Sequence, residues 1–397
     1  MSGHRLRVAD VLRAHGAAYD RAHRMAPHQR KAVRHIVACR TAALGGHLHR
    51  CESCGSEVPV YNSCLDRHCP TCQSLAKEEW LADRRAELLP VEYFHTVFTL
   101  PHALNPLIDA NRMLLLGELF AAVNWVLQRF AADPQWRLEG QLGFLAVLHT
   151  WTQLLTGHFH LHCIIPGGVW QPDPGRWVSC RRRFLFGKQP LCDAFRNRYL
   201  KRLAALRAAG KLAFRGGAAD LADPAAWNAF LAGLASQPWV AHLMPTAAGP
   251  EQALDYLGRY VHRVAIGDHR ILALDGDRVR FGYRDRADDN RAKVKELPAV
   301  EFIHRFLYHV LPDGFRKIRY YGWLAPASKK AALAAIRAAL SVPPPDPDPP
   351  DEPPPEETPA ERILRLTGVD VRRCPHCGAT ALVRVRLLEP ARTTGPP

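Results

Sequence analysis

The sequence lacks any long apolar stretch and any basic amphipathic helix, and these absences argue against a protein that spans or lies on a membrane. Residues 1–23 are basic but contain no apolar core, so we expect no secretory signal. Acidic residues are also comparatively few, since 38 Asp and Glu stand against 53 Lys and Arg and leave a net charge of +15. A surplus of this size indicates a polyanionic partner, and nucleic acid is the first candidate.

The rest of the composition is that of an ordinary soluble globular protein. The chain has 397 residues, of which 47% are hydrophobic and 23% are charged. This length predicts two or more domains.

Cysteines cluster towards the N-terminus. Six of the eleven fall in one short region: Cys39, Cys51, Cys54, Cys64, Cys69 and Cys72. Without an export signal, this clustering indicates zinc rather than disulfides. Cys51/Cys54 and Cys69/Cys72 are spaced as two zinc knuckles, which together supply the four tetrahedral ligands of a structural zinc site. The candidates for a second site are Cys39, Cys64, His47, His49 and His68, unless these residues belong to the core or only neighbour the ligands. Near the C-terminus, Cys374-Pro375-His376-Cys377 has the spacing of a single zinc knuckle. Its ligand set would be completed by residues elsewhere in the chain or by His376. The alternative is that this stretch is simply a turn.

One stretch carries histidines at every second position: His158, His160 and His162. Period-two alternation that ends in a Pro-Gly-Gly turn predicts a β-strand, in which all three imidazoles point to one face. Phe159 and Leu161 then face the other side. Because neutral imidazole commonly binds divalent metals, we predict a metal site here. The alternative is a polar strand face exposed to water.

A second stretch, residues 250–263, begins with Pro-Glu after a glycine and is typical of a helix start. Tyr256 and Tyr260 would lie one turn apart on one face, and Arg259 and Arg263 would lie on the neighbouring face. Taken alone, this helix favours two tyrosines at the edge of a core over a functional pair.

Periodicity predicts the remaining elements. Helices are expected over residues 1–40, 75–89, 107–132, 193–209 and 300–310, and a further helix is expected to end at about residue 340. A strand is expected over residues 93–99 and a β-hairpin over residues 270–283. Residues 143–155 fit either a strand or a helix. Arg181, Arg182 and Arg183 precede an aromatic run, which suits single-stranded nucleic acid and equally a solvated basic turn. Residues 342–361 are rich in Pro, Asp and Glu and predict an extended linker.

Together these motifs resemble the IS91 family of transposases, within the HUH class of single-strand endonucleases. The similarity spans roughly residues 20–325. Matching stretches are Tyr61-Asn62-Ser63-Cys64, Arg67-His68-Cys69-Pro70-Thr71-Cys72, Phe98-Thr99-Leu100-Pro101-His102, residues 158–168, Phe184-Leu185-Phe186, residues 256–263 and residues 315–322. The family's His-apolar-His motif falls on His160-Leu161-His162, although His158-Phe159-His160 fits the same pattern. In the first frame, His158 is the candidate third ligand.

The resemblance implies an α+β fold, with an HUH-type antiparallel sheet core, packed helices and a small N-terminal zinc-binding domain. The expected division is 1–90 for the zinc-binding domain, 91–340 for the catalytic domain, 341–361 for a disordered linker and 362–397 for a tail. Structural Zn²⁺ and a catalytic Mg²⁺ or Mn²⁺ are the implied cofactors. The implied setting is the cytoplasm of a bacterium, with the protein on the nucleoid.

The implied chemistry is attack by Tyr256 or Tyr260 on single-stranded DNA at element ends and target, which gives a 5′-phosphotyrosine and a free 3′-OH. The bond energy is conserved, which agrees with the absence of a Gly-x-x-x-x-Gly-Lys-Ser/Thr phosphate loop. Rival functions are a rolling-circle plasmid replication initiator, a non-catalytic zinc-ribbon DNA-binding protein and a metal-dependent hydrolase. The sequence leaves the oligomeric state open.

Overall fold

The protein is described by a computed structural model covering residues 6–85, 87–246, 258, 264–341, 358–367 and 370–391. It is a mixed α+β structure whose sheets are antiparallel, as expected. The helices are α1 (Val8–His23), α2 (Pro27–Ala38), α3 (Gln73–Arg85), α4 (Asn105–Ala110), α5 (Arg112–Ala131), α6 (Lys188–Ala208), α7 (Pro224–Ser236), α8 (Ala299–Tyr308), α9 (Lys329–Ala339) and α10 (Pro359–Thr367).

The strands form four sheets within the described residues. They are β1 (Gly46–Cys51), β2 (Glu57–Tyr61), β3 (Tyr93–Thr99), β4 (Phe144–Trp151), β5 (Gly157–Pro166), β6 (Gly168–Gln171), β7 (Arg176–Ser179), β8 (Val240–Pro245), β9 (Ile271–Asp275), β10 (Arg278–Asp285), β11 (Arg291–Pro298), β12 (Ile318–Tyr321) and β13 (Leu382–Leu388). The central sheet has the order β12-β4-β5-β3-β8, which puts the histidine strand β5 in its middle.

The two faces of β5 differ as its alternation predicts. Phe159, Leu161 and Cys163 are fully buried in the main hydrophobic core, which α5 and α6 also build. Full burial of each large side chain stabilises the fold by roughly 1.5–3 kcal/mol. The opposite face carries His160 and His162, which are 8% and 7% exposed. The core therefore fixes the direction in which the imidazoles point.

The expectation of no long apolar stretch does not hold for helix α5, which in the described part of the chain is the one helix long and apolar enough to cross a membrane. Half of its most apolar stretch is buried inside the protein, where Leu115, Phe120 and Val126 belong to the main core. Its apolar character is thus accounted for by packing against the sheet. The expected helix over 107–132 breaks at Asn111, whose amide donates hydrogen bonds to the carbonyls of Leu107 and Ala213.

A second core joins parts of the chain that are distant in sequence. Helices α1 and α8 pack against each other and against the three-stranded sheet β11-β10-β9. Val11 and Tyr19 of α1 are buried here. Cys39, Cys69 and Cys72 contribute to the same core. The N-terminal helices and the cysteine region therefore belong structurally with residues 264–310.

The C-terminal segment returns to the N-terminal one. Strand β13 pairs antiparallel with β1, from Gly46 opposite Leu388 to Cys51 opposite Leu382. Helix α10 packs on α3, with Arg362 Nε 3.7 Å from Glu79 Oε1. Strand β13, within the residues expected to form the C-terminal tail, thus completes the first sheet. Most of the expected linker lies outside the described residues.

We expect Gly322→Ala to destabilise the protein by about 3 kcal/mol or more. Gly322 has a φ of +58°, and a Cβ there would lie 1.7 Å from the Leu142 carbonyl oxygen just before β4. A left-handed non-glycine residue costs about 1–2 kcal/mol, and overpacking costs about 1–3 kcal/mol more. Gly233→Ala, on an exposed stretch of α7 with nothing within 4 Å, is the matched control and should gain about 0.5–1 kcal/mol. Thermal unfolding measures both, and an unchanged Tm for Gly322→Ala would contradict this packing.

Candidate active site

Three imidazoles meet on one face of the central sheet. His149 of β4 lies opposite His160 of β5 in the strand register, and His162 follows two residues later on the same face. One ligand nitrogen from each of the three lies within 4.8 Å of the others. These residues are nearly buried, with His149 only 3% exposed. This is the spacing at which one divalent ion can bind three imidazoles.

Hydrogen bonds hold two of the three rings from behind. Nδ1 of His160 lies 3.0 Å from the carbonyl oxygen of His158. Nδ1 of His162 lies 2.9 Å from Nε2 of His95. Metal-binding histidines usually have such a partner on the second ring nitrogen, which fixes the tautomer and the ring plane. Burial lowers the pKa of His95 to about 4, so this supporting ring is neutral at pH 7.

His158, the sequence candidate for a third ligand, lies beside this cluster and not in it. Its ring centroid is 4.7 Å from that of His160, but the ring stacks on His102 at 5.1 Å. Its buried Nδ1 has no hydrogen-bond partner, and burial lowers its pKa to about 4. The geometry therefore groups His149, rather than His158, with the two motif histidines.

The histidine cluster opens into a cavity of about 310 Å³. The opposite wall comes from the end of β10 and the residues that follow it, with Tyr283, Arg284 and Arg286 among the lining side chains. Arg270 anchors this wall, because its guanidinium donates hydrogen bonds to the carbonyls of Gly282 and Gln153. The cavity thus combines imidazoles with guanidinium groups, and guanidinium groups form strong hydrogen bonds to phosphate and carboxylate oxygens.

Trp151 forms part of the rim of the same cavity. Its ring stacks on His149 with centroids 4.7 Å apart and planes 21° apart. The stack restricts the His149 ring, and the partly exposed indole offers an aromatic surface next to the imidazoles.

Tyr256, Tyr260, Arg259 and Arg263 lie outside the described residues. Gly258, between the tyrosines, is described: it is helical and buried. A Cβ added to Gly258 would lie 2.7 Å from Leu81 Cδ1 of α3. Leu81 packs with Val147 and Ile164. Val147 lies two residues before His149, and Ile164 lies two residues after His162, so both are on the face of the sheet that carries the histidines. Gly258 is thus held, through α3, over the face that carries the histidines.

The arginines at 181–183 are exposed and lie away from this cavity. They follow Cys180, whose backbone N–H donates to the Gly167 carbonyl just beyond the far end of β5. Five residues of extended strand separate Gly167 from His162, roughly 17 Å. Among the described residues, Arg270, Arg284 and Arg286 line the histidine cavity.

The cysteines form two tetrads, and these divide the two knuckles between them. Cys69 and Cys72 group with Cys39 and Cys64, and all four sulfurs lie within 4.8 Å of one another. Cys51 and Cys54 group with Cys374 and Cys377. The sequence pairing of Cys51/Cys54 with Cys69/Cys72 at one site is therefore not the arrangement that the structure shows. Spacing alone cannot reveal it, because β13 brings the C-terminal knuckle back from the other end of the chain.

His68 lies outside both tetrads. Its Nδ1 donates to Asp66 Oδ1 at 3.0 Å, while its Nε2 accepts the backbone N–H of Leu311 at 3.2 Å. Both ring nitrogens are therefore engaged in holding the loop that carries Cys69 to the segment before β12.

The first tetrad suits zinc. Hydrogen bonding from Cys64, Cys69 and Cys72 holds the pKa of Cys39 far below its usual range, while the same crowding raises the pKa of Cys69. Four sulfurs this close cannot all be ionised unless a cation compensates their charge. A zinc ion bound by four thiolates provides that compensation.

Sequence reasoning missed His149, His95 and the wall at residues 283–286. His149 was within reach of the pattern, since residues 143–155 fit a strand and a neighbouring strand would place one histidine beside His160. The wall was not, because no local pattern shows that a hairpin more than a hundred residues downstream faces β5.

Two known protein families match the N-terminal and central parts of the chain. Residues 11–100 match the family described as "Transposase zinc-binding domain", of the IS91 type, and residues 143–332 match a family described as "Putative transposase". No solved structure is significantly similar to the chain.

Two curated proteins are similar over most of their length. "Putative transposase y4qJ" of Sinorhizobium fredii is 43% identical over 391 residues, which cover 98% of this chain and 97% of that protein. "Transposase for insertion sequence element IS801" of Pseudomonas savastanoi pv. phaseolicola is 28% identical over 365 residues, covering 87% of this chain and 81% of that protein. The chain therefore belongs to the IS91 family of transposases.

Proposed function

We propose that this transposase nicks and rejoins single-stranded DNA through a 5′-phosphotyrosine intermediate, in rolling-circle-type transposition on the bacterial nucleoid. The observation that carries the proposal is the group of three imidazoles, His149, His160 and His162, facing a cavity walled by arginines. The buried position of Gly258 against Leu81 supports the choice of Tyr256 and Tyr260 as nucleophiles.

The histidine cluster would hold the catalytic divalent ion. Three neutral imidazoles suit Mn²⁺ better than Mg²⁺, which prefers oxygen ligands and would need phosphate or water oxygens to complete its coordination. Such an ion, when bound, polarises the scissile phosphate. His95 holds His162 in the required orientation, and the Trp151 stack does the same for His149.

The tyrosine then carries the covalent step. Its hydroxyl, with an ordinary pKa of about 10, must lose its proton to attack, and the guanidinium groups of Arg259 and Arg263 would favour the phenolate. The tyrosine oxygen forms a bond to phosphorus, and the bond from phosphorus to the 3′ oxygen breaks. The leaving oxygen takes a proton and becomes a 3′-OH. Rejoining reverses these changes on another strand, so two tyrosines allow two cleavages by one protein.

Two groups of arginines would contact the DNA at different distances from the histidine cluster. Arg284 and Arg286 would contact phosphates at the cleavage site, since they line the cavity. Arg181, Arg182 and Arg183 would bind the strand further away, beyond the end of β5. Trp151 would stack on a base next to the scissile phosphate.

A denaturing gel tests the covalent step. Single-stranded oligonucleotides carrying the element end, incubated with Mn²⁺ and the full-length protein, should give a slow-migrating adduct. Tyr256→Phe and Tyr260→Phe identify the attacking residue, and the double variant should give none. Tyr283→Phe, in the cavity wall, is the matched control and should still form it. Cleavage without an adduct would indicate a hydrolase, and tight binding with neither would indicate a zinc-ribbon binding protein.

The third metal ligand is tested by comparing two histidines that line the same cavity. His149→Ala should reduce metal-dependent cleavage by at least about 10–100-fold, the loss typical even of residues that only support a ligand. His158→Ala should reduce it much less, and added Mn²⁺ should partly rescue only the His149 variant. Cleavage rates over a Mn²⁺ titration measure both, with Tm as the folding control. The reverse order would place His158 in the third position.

A further inference from the structure

An N-terminal segment with Cys51 and Cys54 and a C-terminal segment with Cys374 and Cys377 meet at their four sulfur atoms. Cys51 Sγ lies 3.6 Å from Cys377 Sγ, and Cys54 Sγ lies 3.8 Å from Cys374 Sγ. All four sulfurs lie within 4.8 Å of one another. Tetrahedral zinc with bonds of about 2.3 Å to sulfur separates its ligands by about 3.8 Å, whereas a disulfide needs about 2.05 Å. The spacing therefore fits a metal ion and not a pair of disulfides.

The backbone at the two knuckles has the same form. The N–H of Gly55 donates to the Cys51 carbonyl at 2.8 Å, and the N–H of Gly378 donates to the Cys374 carbonyl at 2.9 Å. Both glycines have positive φ, +74° and +78°, so each chain turns sharply after its second cysteine. These matching turns present two sulfurs each towards a common centre.

The C-terminal knuckle also has a backbone hydrogen bond to sulfur. The backbone N–H of His376 donates to Cys374 Sγ at 3.4 Å, an arrangement that stabilises a thiolate. His376 thus contributes its backbone to the knuckle, and the fourth ligand position that its side chain could have filled belongs to a cysteine.

The strand pairing holds the knuckles together. Cys51 ends β1 opposite Leu382 of β13, directly after the C-terminal knuckle. The N–H of Glu52 also donates to the Ala381 carbonyl at 2.9 Å. Cys51, Cys374 and Leu382 form a small buried cluster of their own. With so little apolar area, this module depends on something other than a hydrophobic core for its stability.

We propose that Cys51, Cys54, Cys374 and Cys377 bind a second structural zinc ion, which joins the N-terminal and C-terminal segments into one module. The matched zinc-binding domain, residues 11–100, contains only half of this ligand set. The C-terminal segment that carries Cys374 and Cys377 follows α10, which packs on α3, the helix that contacts Gly258. The C-terminal residues are therefore part of the zinc-binding region of the protein.

Metal content tests the site directly in the full-length protein. Wild-type protein, purified without added zinc, should contain two zinc ions per chain by elemental analysis. Cys374→Ser/Cys377→Ser should contain one, because the first tetrad is intact. Cys180→Ser, outside both tetrads, is the matched control and should keep two. One zinc in the wild type, or two in the double variant, would overturn the proposal.

Alkylation of the native wild type tests it without any substitution. Cys54 and Cys377 are exposed, so iodoacetamide should modify them readily unless a metal ion holds their sulfurs. We expect both to be protected until a chelator is added, and then to react together with Cys51 and Cys374, as read by peptide mass spectrometry. Equal rates with and without chelator would contradict the site, and protection removed by a reductant alone would identify disulfides. Neither experiment involves DNA, so its outcome is independent of the proposed nuclease activity.

Discussion

The pairing of β4 with β5 is the constraint on which the candidate site depends. It places His149 opposite His160 and leaves His162 on the same face. A slip of β5 by one residue would turn His160 and His162 into the main core, away from His149 of β4, and would expose Phe159 and Leu161 instead. Because those two side chains are fully buried, the hydrophobic effect that stabilises the sheet also fixes the face on which the imidazoles lie. Stability and site geometry are set by the same register.

The cysteine region supports this sheet from outside. Arg67, which precedes the first tetrad's Cys69, donates hydrogen bonds to the carbonyls of Leu311, Pro312 and Phe315 just before β12. Asp268 accepts the hydroxyl of Thr71, which lies between Cys69 and Cys72. The tetrad therefore fixes both the edge strand next to β4 and the segment leading into the cavity wall. We therefore expect loss of a metal ion from this tetrad to disturb the histidine cavity, although neither cysteine tetrad lines that cavity.

Local pattern was sufficient for part of this structure. The strand at 93–99, the histidine strand and the β9–β10 hairpin follow from alternation and turn residues, and the structure contains all three. The α+β class and the family are confirmed. The break at Asn111 was not predictable, because it depends on a hydrogen bond to Ala213, a hundred residues away. The order of the strands and the meeting of the Cys51/Cys54 and Cys374/Cys377 knuckles likewise depend on contacts between distant parts of the chain, which residue spacing does not reveal.

The candidate site divides in the same way. The pattern of their own strand predicted His158, His160 and His162 as one set, whereas His149 and the arginines of the wall required knowledge of which elements are neighbours. The separation of the knuckles into two tetrads shows the limit most clearly. Cys51/Cys54 and Cys69/Cys72 are close in sequence, but the sheet pairs the first knuckle with the C-terminal one.

The measurement that tests the central claim most directly is peptide mapping of the protein after reaction with single-stranded element-end DNA and Mn²⁺. Trypsin cleaves after Arg259 and so separates Tyr256, on peptide 216–259, from Tyr260, on peptide 260–263. After nuclease trimming, we predict a nucleotide linked through phosphate to one of these two peptides and its loss when the metal is chelated. A covalent nucleotide on the peptide of Tyr283, or cleaved DNA with no modified peptide, would contradict the account.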